Sequence, residues 1–153
     1  MSRVVIVNIR AIGQPMRIKV RAMFKSYIAK NSGLSPDVMD SARGEFFAVM
    51  DRGRVAAGIW VLTHPGRPNV GDVHVVASRR RILDYDTRIA FDLFLMERAR
   101  IMNLTRWEAS VLTDKSYSYV ISALRSLNFK PIPSSEIEVP GVGEIGMMYK
   151  EVI

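Results

Sequence analysis

The chain has 153 residues and a formal net charge of +7, with 22 Lys and Arg against 15 Asp and Glu. Because 48% of the residues are hydrophobic, this length is enough to bury one core, and we expect a single domain over residues 1–153. The absence of Cys excludes disulfides, thiolate metal sites and Cys nucleophiles. Apolar runs are too short to span a bilayer and the start lacks a signal-peptide pattern, so we expect a cytoplasmic protein without membrane contact.

The N-terminal quarter of the sequence predicts a strand followed by an amphipathic helix. β-branched residues between Val4 and Ile12 are typical of a strand, and Gly13-Gln14-Pro15 indicates its end. Hydrophobic residues then recur at the spacing of one helical face: Met16, Val20, Met23, Phe24, Tyr27 and Ile28. Further on, Ser35-Pro36-Asp37 indicates a second, short helix, since Ser is a good N-cap and Pro suits the first turn.

The centre of the sequence predicts three strands. Residues 46–50 and 55–62 are interpreted as a hairpin, because Gly53 in the segment between them can adopt the positive φ of a tight turn. Residues 64–68 have the composition of a loop, and His64 is interpreted as an ordinary loop residue. Residues 70–77 are largely apolar, which indicates a strand at a central position in the sheet.

The C-terminal half of the sequence alternates helices and strands. After the basic run Ser78 to Arg81, residues 89–96 are apolar on almost every side and predict a buried helix that continues to Asn103. Residues 107–112, 129–132 and 143–152 are typical of strands, and Asp114-Lys115-Ser116 caps a predicted helix that reaches Leu127. The whole order predicts an α/β (α+β) fold, with a mixed, mostly antiparallel sheet of six to seven strands flanked by three to four helices.

This order resembles the GNAT family of CoA-dependent N-acyltransferases, and three local sequences carry the resemblance. Residues 47–61 look like the family's hairpin, with an acidic-x-Gly turn and Gly58 in the following strand. Residues 73–76 resemble the central strand before the acyl-CoA loop, and residues 118–129 resemble the closing helix. The resemblance implies acetyl-CoA as the cofactor of an active member, and it implies these cofactor-binding residues: Val75, Val76, Arg79, Arg80, Arg81 and Arg88.

The sequence departs from the family pattern at two positions that matter for acyl transfer. Active members have two glycines where the diphosphate meets a helix N-terminus, and no register supplies them here; counted from Arg81, the two positions are Asp84 and Asp86. Their carboxylates can cap the helix themselves and repel a diphosphate. The second departure is Leu124, which stands where many members have the Tyr that protonates the leaving thiolate.

For the general base that deprotonates the amine, the central strand offers Asp72 and His74. A neutral His can accept that proton, since its pKa is expected near the working pH, although a lone His in an apolar strand is more often a hydrogen-bonded core residue. Two separated His residues do not form a metal site, so no metal is expected.

Three functions remain open at this point. The first is a non-catalytic binding or assembly module, similar to the GNAT-like internal proteins of T7-like bacteriophages; this implies the host cytoplasm or the virion. The second is an active acetyl-CoA-dependent N-acetyltransferase. The third is nucleic-acid binding through Arg79 to Arg81 with Arg17, Arg21 and Lys25. A protein partner or a homo-oligomer is expected, and the Arg79 to Arg81 run is suited to an anionic ligand.

Overall fold

The computed structural model describes residues 4–31, 44–64, 66–77, 85–112, 118–139 and 143–152. Along these residues it has β1 (Val4–Asn8), α1 (Gln14–Asn31), β2 (Glu45–Asp51), β3 (Arg54–His64), β4 (Arg67–Ala77), α2 (Tyr85–Met102), β5 (Arg106–Leu112), α3 (Ser118–Ser126), β6 (Lys130–Pro131), β7 (Ile137–Val139) and β8 (Gly143–Glu151). Three predicted features lie outside the described residues: the short helix at 35–37, the arginine run 79–81 and the helix cap at 114–116.

The strands form one mixed sheet in the order β1-β2-β3-β4-β5-β8-β6, with β7 also paired to β8. Every recorded pairing is antiparallel except that between β4 and β5. The α/β prediction of a mostly antiparallel mixed sheet is therefore confirmed. The sheet has eight strands instead of six to seven, because β7 forms between the two strands predicted at 129–132 and 143–152.

Two strand boundaries differ from the sequence prediction. β1 ends at Asn8 instead of Ile12, because the Asn8 side chain accepts a hydrogen bond from the Arg10 N–H at 2.9 Å and begins a 3-10 turn over Ile9–Ala11. β3 and β4 extend through most of the predicted loop at 64–68, since His64 and Arg67 pair across a tight turn in which Gly66 has φ 87°. The prediction of His64 as a loop residue is therefore wrong.

The helices cover opposite faces of the sheet. α1 buries Val20 and Phe24 completely in a cluster with Phe46 and Trp60. α2 and α3 belong to the larger cluster under the other face.

Only one stripe of α2 is buried, Thr87, Phe91, Leu95 and Ala99, whereas Ile89, Leu93 and Met96 are exposed. The prediction of a buried helix is therefore wrong for the outer side of α2, because an apolar segment predicts a helix but does not determine which of its sides the sheet covers. None of the described helices is long and apolar enough to cross a membrane.

α3 is closed by a residue in the left-handed backbone region. Asn128 has φ 70°, in the left-handed region, and the Phe129 N–H donates to the Leu124 carbonyl at 3.0 Å to close the helix. This is a position that usually takes Gly, and Asn is the side chain that tolerates it next best. Asn128 therefore takes the backbone conformation that ends α3.

Gly71 permits the close packing at the junction of β4 and β5. A Cβ at this position would lie 2.5 Å from Leu104 Cδ1 and 2.6 Å from Trp107 Cζ3. Trp107 is fully buried, and its Nε1–H donates to the Leu95 carbonyl of α2 at 3.2 Å. A side chain at position 71 must therefore displace the residue that ties β5 to α2.

We predict that Gly71→Ala lowers the free energy of unfolding by about 1–3 kcal/mol, because overpacking of a filled core forces its neighbours to move. Gly13→Ala is the matched control, since its added Cβ would meet only Pro15 Cδ at 3.9 Å. The control should cost about 0.5 kcal/mol or less. Urea denaturation measures both values, and equal losses in the two variants would contradict the packing explanation.

Candidate functional site

β4 and β5 run side by side for three residue pairs and then separate. The parallel pairs are Val70 with Arg106, Gly71 with Trp107, and Asp72 with Glu108. β4 continues for five residues to Ala77 and β5 for four residues to Leu112, but the recorded ladder between them ends at Asp72 and Glu108. Among the described residues, the β4–β5 ladder therefore does not continue over residues 73–77 of β4. This opening contains the predicted residues Val75 and Val76.

A charged network lies where the two strands separate. The Arg67 guanidinium donates twice to Glu108, from Nη2 to Oε1 at 2.7 Å and from Nη1 to Oε2 at 3.1 Å. Arg106 Nε lies 2.9 Å from Glu108 Oε2. The two atoms form an ion pair, but their geometry is not that of a hydrogen bond. The Arg106 guanidinium also lies over the Tyr149 ring, 4.2 Å from its centroid. Two arginines thus hold a carboxylate whose side chain is only 5% exposed.

The neighbouring carboxyls of Asp72 and Glu108 are shifted in opposite directions. Burial raises the pKa of Asp72, with a further rise from the Glu108 charge, while His64 and Arg67 lower it by a smaller amount. Hydrogen bonds from Arg67 lower the pKa of Glu108. Asp72 is therefore the better proton acceptor of the two, because a carboxylate with a raised pKa binds a proton more readily near neutral pH.

His74 is held differently from the other candidate base. Its ring lies against Trp60, its partner in β3, with the two centroids 5.0 Å apart. Burial lowers the pKa of His74 to about 4, so the ring is neutral at physiological pH. The expectation that this pKa lies near the working pH is wrong, because desolvation makes the protonated imidazole unfavourable. Its role as a base remains a prediction.

The first turn of α2 contains two buried polar atoms without partners. Thr87 is 1% exposed, and neither its Oγ1 nor Arg88 Nε has a hydrogen-bond partner in the described part of the chain. The N-terminal turn of a long helix also carries unpaired backbone N–H groups and a partial positive charge. Of the predicted cofactor residues, Arg88 lies here, whereas Arg79, Arg80 and Arg81 lie outside the described residues.

The two departures from the family pattern have different structural settings. Asp86 lies in the first turn of α2, so its carboxylate can interact favourably with the helix dipole. Asp84 lies outside the described residues. Leu124 is 2% exposed within the core below the sheet, so this position supplies packing and no exchangeable proton.

A separate cavity of about 530 Å³ opens near the turn between β3 and β4. Arg98 at its wall is paired with Glu45 and lies over the Phe47 ring, 5.1 Å from the centroid. Its lining is Gly44, Glu45, Val61, Leu62, Thr63, His64, Arg98 and Met102. Within the described residues no group of three or more His, Asp or Glu side chains could hold a metal ion.

Sequence reasoning missed Glu108, Arg67 and His64, which surround Asp72. A lone carboxylate inside the otherwise apolar segment Trp107 to Leu112 was a usable signal for Glu108, since a buried acid requires a partner. No comparable signal existed for Arg67, because its 41-residue separation from Glu108 is closed only by the β4–β5 pairing.

Comparison with family models and with curated proteins found no match to this sequence. Solved structures do match. A ribosomal-protein-S5-alanine acetyltransferase from Vibrio fischeri is 12% identical, with 99% of this chain and 94% of that chain covered at a TM-score of 0.67. A mutant of the spermidine N-acetyltransferase from Vibrio cholerae is 11% identical, with 99% of this chain and 95% of that chain covered at a TM-score of 0.69. A Salmonella typhimurium protein assigned as an acetyltransferase was solved with its cofactor acetyl-CoA. It is 11% identical, with 99% of this chain and 95% of that chain covered at a TM-score of 0.68. The chain therefore has the GNAT acetyltransferase fold.

We predict that the Asp72 and Glu108 carboxyl carbons titrate on opposite sides of their ordinary pKa values, about 3.9 and 4.3. Carbon-detected NMR should give a midpoint above the first value for Asp72 and below the second for Glu108. In Glu108→Gln the Asp72 midpoint should fall, because a negative neighbour is removed. An unchanged Asp72 midpoint in this variant would show that the two carboxyls do not interact.

We also predict that Glu108→Gln lowers the free energy of unfolding by about 1.5–3 kcal/mol at pH 7, since hydrogen bonds to a charged group are lost. The folded-state pKa of Glu108 is depressed, so its stabilisation is present above the unfolded value and is lost as the pH falls through the folded value. The difference between wild type and variant should therefore shrink below about pH 4. Glu97→Gln, at an exposed site, should change stability by about 0.5 kcal/mol or less at every pH.

Proposed function

We propose that this protein binds acetyl-CoA between β4 and β5 and transfers the acetyl group to an amine. One observation carries the proposal: the pairing of the two strands ends at Asp72 and Glu108, and the next helix along the chain, α2, has the unpartnered Thr87 hydroxyl in its first turn. Beyond the end of this ladder, the edge of β4 toward β5 offers backbone hydrogen-bonding groups to the amides of the CoA arm. The acetyl-CoA in the Salmonella structure of the same fold supports the choice of cofactor.

The residues present fit such a cofactor at both ends. At the helix end, backbone N–H groups of α2, the Thr87 hydroxyl and Arg88 can hold a diphosphate. At the strand end, Val73 and Val75 are buried and keep water away from one side of the opening. When bound, acetyl-CoA supplies an acetyl group activated as a thioester.

Asp72 is the base in this proposal. It lies at the last paired position of β4, where the opening begins, and its raised pKa suits removal of a proton from an incoming ammonium group. The Arg67–Glu108 pair fixes the adjacent β5 position. His74 stays neutral beside Trp60 and contributes shape to the same face of β4.

A non-catalytic binding or assembly module is the second candidate, and a specific observation favours it. Leu124 is buried where many family members have the thiolate-protonating Tyr, and Asp86 occupies the first turn of α2. The resemblance to internal proteins of T7-like bacteriophages belongs to this candidate. It requires a protein partner and no acetyl transfer.

Calorimetric titration with acetyl-CoA, followed by an acetyl-transfer assay on a panel of amines, separates the candidates. We expect micromolar binding, and transfer that Asp72→Asn abolishes while binding is retained. Asp86→Asn should tighten binding about threefold to tenfold, since one nearby charge is worth about 1 kcal/mol in water. Glu97→Gln, which removes the same charge from the exposed outer face of α2, should leave affinity unchanged.

Binding without transfer to any amine would leave the second candidate, with acetyl-CoA as a structural or regulatory ligand. The absence of binding at millimolar acetyl-CoA would overturn the cofactor and the activity together.

A further inference from the structure

The net charge of the chain is confined to its N-terminal quarter. Seven basic residues and no acidic residue occur between positions 1 and 36, whereas the other 117 residues contain 15 basic and 15 acidic residues. The formal charge of +7 is therefore the charge of this segment alone. Its basic residues are Arg3, Arg10, Arg17, Lys19, Arg21, Lys25 and Lys30.

α1 carries most of this charge on the surface of the sheet. Val20 and Phe24 face inward and are fully buried against the sheet. A helix turns by about 100° per residue, so Lys19 and Arg21 lie on the two opposite flanks of Val20. Both are exposed. Arg10 is also exposed, in the 3-10 turn that precedes the helix.

The outermost side of α1, between the Lys19 flank and the Arg21 flank, carries small and uncharged side chains. We call this side the crest. Ile18 is 57% exposed, and Ala22 follows it one turn later on the outer side. Arg17 is fixed beside the start of the helix, where its Nε donates to the Ile12 carbonyl at 3.1 Å. We define the α1 basic face as Arg10, Arg17, Lys19 and Arg21 around this crest.

The geometry of the α1 basic face fits a duplex better than the other polyanions. The major groove of B-DNA is about 12 Å wide, so it admits one α-helix between two phosphate backbones, and the two flanks of α1 can each meet one backbone. An A-form RNA groove is too narrow for this arrangement. Single strands are bound by exposed aromatic rings, and the described side chains of α1 include one ring, Phe24, which is fully buried.

A membrane surface is also a poor fit. Interfacial helices insert a broad apolar face into the lipid, and the apolar stripe of α1 is already buried against the sheet. Ile18 and Met16 are the large apolar side chains of α1 that remain exposed among those described.

We propose that the α1 basic face binds double-stranded DNA through its phosphates, with the crest of α1 toward the major groove and without reading base sequence. The crest residues Ile18 and Ala22 have no side-chain hydrogen-bond donors or acceptors, so base edges are not distinguished. This surface is separate from the opening between β4 and β5, and the proposal does not depend on acetyl transfer. It differs from the arginine-run hypothesis because Arg79 to Arg81 are not required.

Fluorescence anisotropy with a labelled duplex of about 20 base pairs, from 50 to 200 mM salt, tests the proposal. Each phosphate contact contributes about −0.9 to the slope of log K against log salt, so three to four contacts give about −3 to −4. Two duplexes of unrelated sequence should give the same affinity.

Two double variants separate the α1 basic face from net charge alone. Arg10→Gln with Lys19→Gln should make the slope of log K against log salt less negative by about 2, because two phosphate contacts are lost. Arg100→Gln with Arg125→Gln removes the same charge from exposed positions on α2 and α3 and should leave the slope unchanged. Circular dichroism confirms that both variants remain folded.

The proposal is overturned by absence of DNA association at 50 mM salt, or by equal slope losses in the two double variants. It is likewise overturned if phosphatidylserine vesicles or polyglutamate bind more tightly than the duplex at that salt concentration, since the surface is then suited to a membrane or an acidic protein.

Discussion

Three parallel residue pairs between β4 and β5 hold the two halves of this sheet together. On one side lies the antiparallel run from β1 to β4, and on the other lie β5, β8, β6 and β7. The junction is reinforced on both faces. Trp107 packs beneath Gly71 and donates to α2, while two arginines hold Glu108 above. Because the junction is so short, the strands can separate immediately beyond it, and the opening follows from this geometry.

The same junction determines the electrostatics of the candidate site. Asp72 and Glu108 are paired in register, but Arg67 reaches only Glu108 with two hydrogen bonds. One carboxyl is therefore held ionised and the other is pushed toward protonation. Two adjacent acids with opposite pKa shifts are a recurrent basis for proton transfer. His74 is half-buried and lies against Trp60, and desolvation lowers its pKa so far that it does not take part in this titration.

The sheet also separates two chemically different surfaces. α1 covers one face and carries basic side chains with no acid, whereas α2 contains three basic and three acidic residues. The outer side of α2 is apolar at Ile89, Leu93 and Met96. The two proposed phosphate sites therefore depend on different interactions: dispersed side-chain charge on α1 and a helix N-terminus on α2.

The sequence by itself predicted most of the elements in order, the GNAT-like fold and the central position of β4, because hydrophobic periodicity and turn residues act locally. It missed β7. It also named Asp72 as a candidate base, and that role stays a prediction. Only the tertiary structure decided that Glu108 and Arg67 flank Asp72, that His74 is too desolvated to titrate near neutral pH, and that one side of α2 stays exposed. These properties arise from contacts between residues far apart in the chain, and local patterns do not encode burial or charge proximity across strands.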